Sequence, residues 1–280
     1  MRLVRYARGP DTGIGVRVDG RVVATGYGDL RAFLRDGTAA LAAARDRAAH
    51  PGAASFTPDR VLAPLPDPGK MLFCGLTHRS LRAELGGGER LTEHPYVYAK
   101  LPHTIIGPGE PIVIPTPGTE ACWEFELGVI VGRDAHHVAV DEALDHVFGY
   151  TVLNDVTALD EMMDALDTWT CPMTLLKNYE TFCPMGPDVV LTDELPDPGT
   201  LAQRTIVNGE VRQDGSMADC WLTVAEIVAW LSTRMPLRAG DLISTGTPPG
   251  IAAMAPGDEV VCEIEGVGRL VNPVVAGWSS

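Results

Sequence analysis

Apolar and polar positions alternate in short runs at the start of the chain. Over residues 1–28, Leu3, Val4, Ile14, Val16, Val18, Val22 and Val23 are separated by Gly9-Pro10, Gly13 and Asp19-Gly20. A period of two broken by turn residues predicts a small hairpin or meander, turning at Asp19-Gly20. The period lengthens over 29–49, where Leu30, Phe33 and Leu34 have helical spacing. Gly37 interrupts that helix, and Thr38 is placed to cap the Ala-rich run to Ala49. Pro58, Pro64, Pro66 and Pro68 make 57–69 unsuited to a regular helix or a central strand. The pattern therefore predicts a small N-terminal α+β domain over 1–60, a Pro-rich linker over 61–69, and a larger domain over 70–280.

In the larger domain the pattern predicts many short strands and few helices. Residues 70–75 read as a short buried strand and 76–85 as a short helix. That helix is ended by Gly86-Gly87-Gly88, which suits either a mobile lid or a plain surface loop. Residues 96–99 and 112–115 read as strands, and 141–147 as a short helix capped by Asp141. A polar, Met-containing segment at 157–176 reads as irregular or helical. A hairpin is expected at Asn208-Gly209. Thr223 and Glu226 form a capping box for a helix over 224–232. A terminal hairpin joins 260–264 to 269–274. The fold class is α+β, mainly β.

Composition narrows the function classes. A chain of 280 residues with 45% hydrophobic content can build one large or two small domains. The net charge of -15 and a pI near 4.8 argue against a nucleic-acid or anionic membrane surface, since both need a basic patch. A small anionic substrate remains compatible, because a bound metal inverts the local field. The six cysteines, at 74, 122, 171, 183, 220 and 262, form no C-x-x-C pair and are expected as buried thiols in a reducing cytosol. No secretory signal and no 18-residue apolar run are evident, so a cytoplasmic location is expected.

The chemistry concentrates in residues 121–160. There Glu124, Glu126 and Asp155 lie within two runs of β-type residues. On a strand, residues i and i+2 share a face about 7 Å apart, so Glu124 and Glu126 project side by side with Phe125 opposite. Carboxylates that close repel each other unless a proton or cation lies between them. An E-x-E pair on a strand also suits a solvated face. Here Trp123 and Phe125 flank it and no Lys or Arg occurs between Lys100 and Arg133, so the pair needs a partner. With Asp155 the set is oxygen-only and fits Mg²⁺, Mn²⁺ or Ca²⁺. No G-x-G-x-x-G opens a helix after a strand and no Walker sequence occurs, which argues against a nucleotide enzyme.

Six motifs run in order. They are Glu124-Phe-Glu126-Leu, Gly149-Tyr with Asn154-Asp155, Lys177 before Phe182-Cys-Pro184-Met-Gly186-Pro187, Val207-Asn-Gly-Glu210 with Gln213, Gly240-Asp241 through Thr245-Gly246-Thr247-Pro248 to Gly250, and Pro256-Gly-Asp258. Over about residues 70–275 this resembles the fumarylacetoacetate hydrolase family. The resemblance implies a mixed β-sandwich or β-roll, usually a homodimer, with Mg²⁺ or Mn²⁺ held by Glu124, Glu126 and Asp155. It also implies Lys177 beside the metal, polarising a substrate oxygen, and Thr247, with Gly246, against the substrate.

Three positions depart from the family pattern. Family members read G-x-N-Y-x-x-H-x-x-E after the first strand, where the His and Glu activate water. This chain reads Gly75-Leu-Thr-His78-Arg-Ser-Leu81-Arg-Ala-Glu84, so Glu84 is kept and Leu81, which cannot accept a proton, replaces the His. His78 lies about one helical turn earlier and can either substitute or simply pack. The family's arginine after N-D is Leu159, and a position often held by glutamine is Met162. Leu81, Leu159 and Met162 together imply a less polar pocket. The implied activity is enolate chemistry on a 1,3-dicarbonyl or 2-oxo acid, with C–C hydrolysis first. Isomerisation, decarboxylation or dehydration is the alternative, since none needs activated water. A non-catalytic, metal-stabilised binding protein is a further alternative, against which the retention of Lys177 and Thr247 argues.

Overall fold

The computed structural model describes residues 1–84, 94–115, 119–167 and 173–277. Its strands are β1 (Arg2–Arg8), β2 (Asp11–Val18), β3 (Arg21–Ala24), β4 (Ser55–Phe56), β5 (Arg60–Leu62), β6 (Met71–Gly75), β7 (Tyr96–Ala99), β8 (Ile105–Ile106), β9 (Ile112–Ile114), β10 (Ala121–Cys122), β11 (Phe125–Val131), β12 (Val147–Asn154), β13 (Thr157–Ala158), β14 (Cys183–Leu191), β15 (Ala202–Val207), β16 (Glu210–Ser216), β17 (Leu242–Ser244), β18 (Ala253–Met254), β19 (Glu259–Ile264) and β20 (Gly268–Ala276). The helices are α1 (Leu30–Ala49), α2 (Arg79–Glu84), α3 (Leu159–Asp167), α4 (Met173–Leu176) and α5 (Val224–Arg234). The α+β, mainly β expectation is borne out.

Among the described residues the strands form a 12-stranded, a 5-stranded and a 3-stranded sheet. The largest runs β4-β3-β2-β1-β14-β12-β11-β17-β6-β7, with β5 beside β1 and β8 beside β14. It is mixed: β17 pairs β6 in parallel, and most other neighbours are antiparallel. The N-terminal meander joins it directly, because β1 pairs β14 with Leu3 opposite Val189. Within the Pro-rich stretch, residues 60–62 pair β1 as β5, at the margin that the sequence marks as a boundary. The second sheet runs β16-β15-β19-β20-β9 and the third β13-β10-β18.

The central strands β11 and β12 are buried at every position, which explains their near-continuous apolar sequence. Side chains of alternate parity feed two cores. Leu72, Cys74, Leu127, Val129 and Val152 pack on one side, and Phe73, Tyr98, Ile130 and Leu153 on the other. Both predicted hairpin turns form with left-handed central residues, at Asp19-Gly20 (φ 47° and 78°) and Asn208-Gly209 (φ 52° and 85°). Helix α1 is kinked at Gly37, and Asp29 caps it through its side chain to the Ala32 N–H at 2.7 Å. The capping box of Thr223 and Glu226 forms as expected.

Some expectations differ in detail. The short helix expected over 141–147 is a 3-10 helix, Val140–His146, whose cap is Ala139 without a side-chain bond. Asp141 and Glu142 instead lie in its first turn, where their charge suits the N-terminal dipole. The segment after Asp155 pairs briefly as β13 and then forms α3 and α4. Gly86, Gly87, Gly88 and Cys171 lie outside the described residues. Cys74, Cys122, Cys183, Cys220 and Cys262 are free thiols. No described helix is long and apolar enough to cross a membrane.

Candidate active site

One rung of the main sheet sets the site. Gly128 on β11 is opposite Ser244 on β17, Ser244 is beside Phe73 on β6, and Phe73 is opposite Tyr98 on β7. Directly paired residues face the same side of a sheet. Glu126, two residues before Gly128, shares that side and is opposite Leu153. Asp155 follows β12 two residues beyond Leu153. Glu124 lies in the break between β10 and β11 rather than on a strand. It is held there by two backbone bonds, from the Asp155 N–H to the Glu124 carbonyl at 2.7 Å and from the Glu124 N–H to the Asn154 side-chain oxygen at 3.0 Å.

The expected cluster forms. One carboxylate oxygen from each of Glu124, Glu126 and Asp155 lies within 4.8 Å of the others, and all three residues are buried. Protein donors anchor each carboxylate. Glu124 Oε1 accepts from Thr157 Oγ1 at 2.6 Å and Lys177 Nζ at 2.9 Å. Glu126 Oε2 accepts from the Ser244 hydroxyl and from the Gly246 N–H at 2.9 Å. Asp155 Oδ1 accepts from Lys100 Nζ at 2.6 Å, and Oδ2 from Lys177 Nζ at 2.6 Å and the Tyr98 hydroxyl. Glu126 Oε1 is buried with no hydrogen-bond partner. An acceptor left this way is costly unless something else satisfies it.

The charges follow. Burial, then Asp155 and Glu124, push the Glu126 carboxyl well above the usual carboxylate range. Burial acts the same way on Asp155, but Lys100 and Lys177 outweigh it and hold the group low. Burial alone would lower Lys177; Asp155 and Glu124 reverse that, so it stays an ammonium. Tyr98 is pushed up by burial and by Asp155, and keeps its proton. Three carboxyl groups thus face two buried lysines. An oxygen-only set with an orphaned Glu126 oxygen and second donors on every ligand fits a hard divalent cation held by Glu124, Glu126 and Asp155.

The two lysines differ in donor count. Lys100 gives all three N–H groups to protein oxygens: Asp155 Oδ1, the Val156 carbonyl at 3.0 Å and the Phe182 carbonyl at 2.6 Å. Lys177 has two acceptors, Glu124 and Asp155, and lies 5.0 Å above the Tyr98 ring. One of its three donors therefore has no acceptor among the described residues.

Gly246 is required by its place. Its φ is 89°, and a Cβ there would meet Thr77 Oγ1 at 2.0 Å and the Cys74 carbonyl at 2.6 Å. The next residue, Thr247, is buried and accepts from Gln213 Nε2 at 3.1 Å, which ties the loop to β16. None of the other candidates hydrogen-bonds to the three carboxylates among the described residues. His78 is fully buried, 3.5 Å from Cys220 Sγ and 3.4 Å from Thr77 Oγ1. Burial pushes its imidazole down to about 4, against smaller opposing effects of Asp219 and Gln203. Leu81 is buried on α2, Glu84 is exposed at the end of that helix, and Leu159 and Met162 are half-buried at the start of α3. Sequence reasoning missed Lys100, Tyr98, Thr157 and Ser244. The first two were within reach, since Tyr96-Val-Tyr98-Ala-Lys100 alternates with the same period of two that pairs Glu124 with Glu126.

A family model described as fumarylacetoacetate (FAA) hydrolase C-terminal matches residues 74–275. The 4-hydroxyphenylacetate degradation bifunctional isomerase/decarboxylase of Escherichia coli is 40% identical over 213 residues, covering 76% of this chain and 48% of that protein. This chain thus spans about half of that relative's length. Human mitochondrial oxaloacetate tautomerase FAHD2A is 33% identical over 294 residues, covering 98% of this chain and 92% of the relative. Among solved structures, maleylpyruvate hydrolase from Sphingobium sp. SYK-6, in complex with manganese (II) ion and pyruvate, superposes with a TM-score of 0.84 at 27% identity, covering 99% of this chain and 100% of that one.

Proposed function

We propose that this chain, which belongs to the fumarylacetoacetate hydrolase family, is a divalent-metal-dependent enzyme that shifts a proton on an enolisable 2-oxo acid or 1,3-dicarbonyl compound, as a tautomerase or double-bond isomerase. One observation carries the reading. The apparatus for stabilising an enolate is assembled around Lys177 and the three carboxylates, whereas the place of a water-activating pair holds buried Leu81 and exposed Glu84. The relatives named for isomerase, decarboxylase and tautomerase activities support it.

Glu124, Glu126 and Asp155 would hold Mg²⁺ or Mn²⁺, which when bound would supply Lewis-acid charge beside an enolisable carbonyl. Lys177 adds a fixed positive charge and its remaining N–H to the oxygen that becomes negative. Asp155 and Glu124 favour its protonated form, which suits a donor rather than a base. Lys100, with every donor used, holds Asp155 in place. The Gly246 N–H and the Ser244 hydroxyl hold Glu126, and Thr247, next in the loop and braced by Gln213, is assigned to substrate contact on the family resemblance. The resemblance adds a homodimer as the working form.

C–C hydrolysis is the second reading, supported by the likeness to a maleylpyruvate hydrolase. The test is turnover of oxaloacetate enol and of an acylpyruvate panel, with Mg²⁺ and with chelator, for the native chain and for Leu81→His. Chelator-sensitive loss of the enol with no acid released from the acylpyruvates is the expected result. Release of pyruvate plus an acid by the native chain would replace isomerisation with hydrolysis. Hydrolysis gained only by Leu81→His supports the proposed reading most directly.

A further inference from the structure

We propose that Tyr98 is a positioning residue: its hydroxyl fixes the Asp155 carboxylate for the divalent cation. The inference rests on the metal reading above and adds a residue that none of the motifs marks. Tyr98 lies on β7, at the end of the sheet rung that also carries Phe73 and Ser244. Its ring stacks on Phe73 with centroids 6.0 Å apart and lies beside Tyr96 with centroids 5.9 Å apart. The hydroxyl donates to Asp155 Oδ2 while Lys100 donates to Oδ1. Lys177 Nζ also donates to Oδ2, at 2.6 Å, so the phenol is the one uncharged donor of three: it restrains Oδ2 without adding a positive charge that would oppose a cation.

A packing role alone would not need the oxygen, since phenylalanine fills the same space against Phe73. The hydroxyl is also an expensive group to bury unless it has work as a donor. Tyr150 gives the contrast within the same sheet. It is also buried, on β12, and its hydroxyl has no hydrogen-bond partner. The same chemical deletion at the two positions therefore separates the loss of a buried phenol from the loss of its bond to Asp155. Partners that orient a metal ligand are typically worth about 10- to 100-fold in metal affinity or activity.

The experiment measures Mn²⁺ binding to the full chain by electron paramagnetic resonance of the free ion, with melting curves alongside. The chains compared are wild type, Tyr98→Phe and Tyr150→Phe. Tyr98→Phe is expected to bind Mn²⁺ about 10-fold more weakly or worse, with a cooperative melt, while Tyr150→Phe matches wild type. Equal affinity in Tyr98→Phe and wild type overturns the proposal and leaves the metal reading intact. Equal weakening in both variants also overturns it, because the effect then belongs to any buried phenol. Absence of Mn²⁺ binding by wild type overturns the metal reading itself, and this proposal with it.

Discussion

Two buried polar clusters lie in this molecule and have opposite electrostatic fates. Around Asp155, burial is met by partners: two lysines, a tyrosine and two hydroxyls answer three carboxylates, and Lys177 stays charged. Around His78 no formal charge of opposite sign is close enough to offset burial, and the imidazole becomes neutral, pushed down to about 4. The same desolvation acts on both. Where charges are paired it yields a fixed field that can stabilise a developing anion; where they are not, it removes a group from acid–base work near neutral pH.

The largest effect should come from breaking the charged cluster. Lys177→Met removes the donor to the developing oxyanion and one counter-charge of Glu124 and Asp155. Turnover should fall about 10³-fold, the scale of losing an oxyanion donor. Stability should fall by about 3–5 kcal/mol, the scale of removing one partner from a buried pair. Steady-state kinetics and a urea melt read the two losses separately. A variant that keeps turnover within tenfold of wild type would reduce Lys177 to a structural counter-ion.

The neutral cluster predicts a pH effect of definite sign. His78 titrates near 6.5 in the unfolded chain and near 4 in the folded one. Between those values the unfolded chain binds a proton that the folded chain refuses, so acid favours unfolding. The stability this gives is complete above about pH 6.5 and is lost as pH falls toward 4, roughly 3 kcal/mol in all. Most of it is gone by pH 5. Urea melts of wild type at pH 7.5 and 5, set against His78→Gln, should show a smaller acid loss in the variant. An identical loss in both chains would mean that His78 is already accessible to protons, and would restore it as a candidate base.

How much of this was legible in the sequence depends on whether the signal was local. The hairpins at Asp19-Gly20 and Asn208-Gly209, the kink at Gly37 and the capping box at Thr223 depend on a few neighbouring residues, and all form as read. The carboxylate set was legible because a period of two and an apolar context mark it. A period of two places both glutamates on one strand, yet Glu124 sits in a break and is held by Asn154 and Asp155 instead. The donors that satisfy the set come from far along the chain: Lys100 is 55 residues from Asp155, and Ser244 is 118 from Glu126. Nothing local says that β6 and β17 lie between β7 and β11, so the rung that carries Tyr98 and Ser244 to the carboxylates becomes visible only in the sheet. Ambiguity at His78 had the same origin, since its burial is set by the contact of residues 77–78 with 220–221.

The smallest predicted effect sharpens the contrast most. A cation bound at 100 times its Kd stabilises the folded chain by about 2.7 kcal/mol, and chelation should remove that amount. Glu126 is where the two clusters can be made alike, because burial without a cation drives it toward the protonated form just as burial drives His78 toward neutrality. Glu126→Gln copies that neutral form. In chelator it should melt within about 1 kcal/mol of wild type, since nothing charged has been lost. On adding Mg²⁺ or Mn²⁺ wild type should gain its few kcal/mol and the variant almost none. A variant that still gains would mean that Glu124 and Asp155 suffice to hold the ion. A variant that collapses in chelator would mean that Glu126 is ionised without a cation, and that Lys177 reaches it more strongly than its bonds to Glu124 and Asp155 indicate.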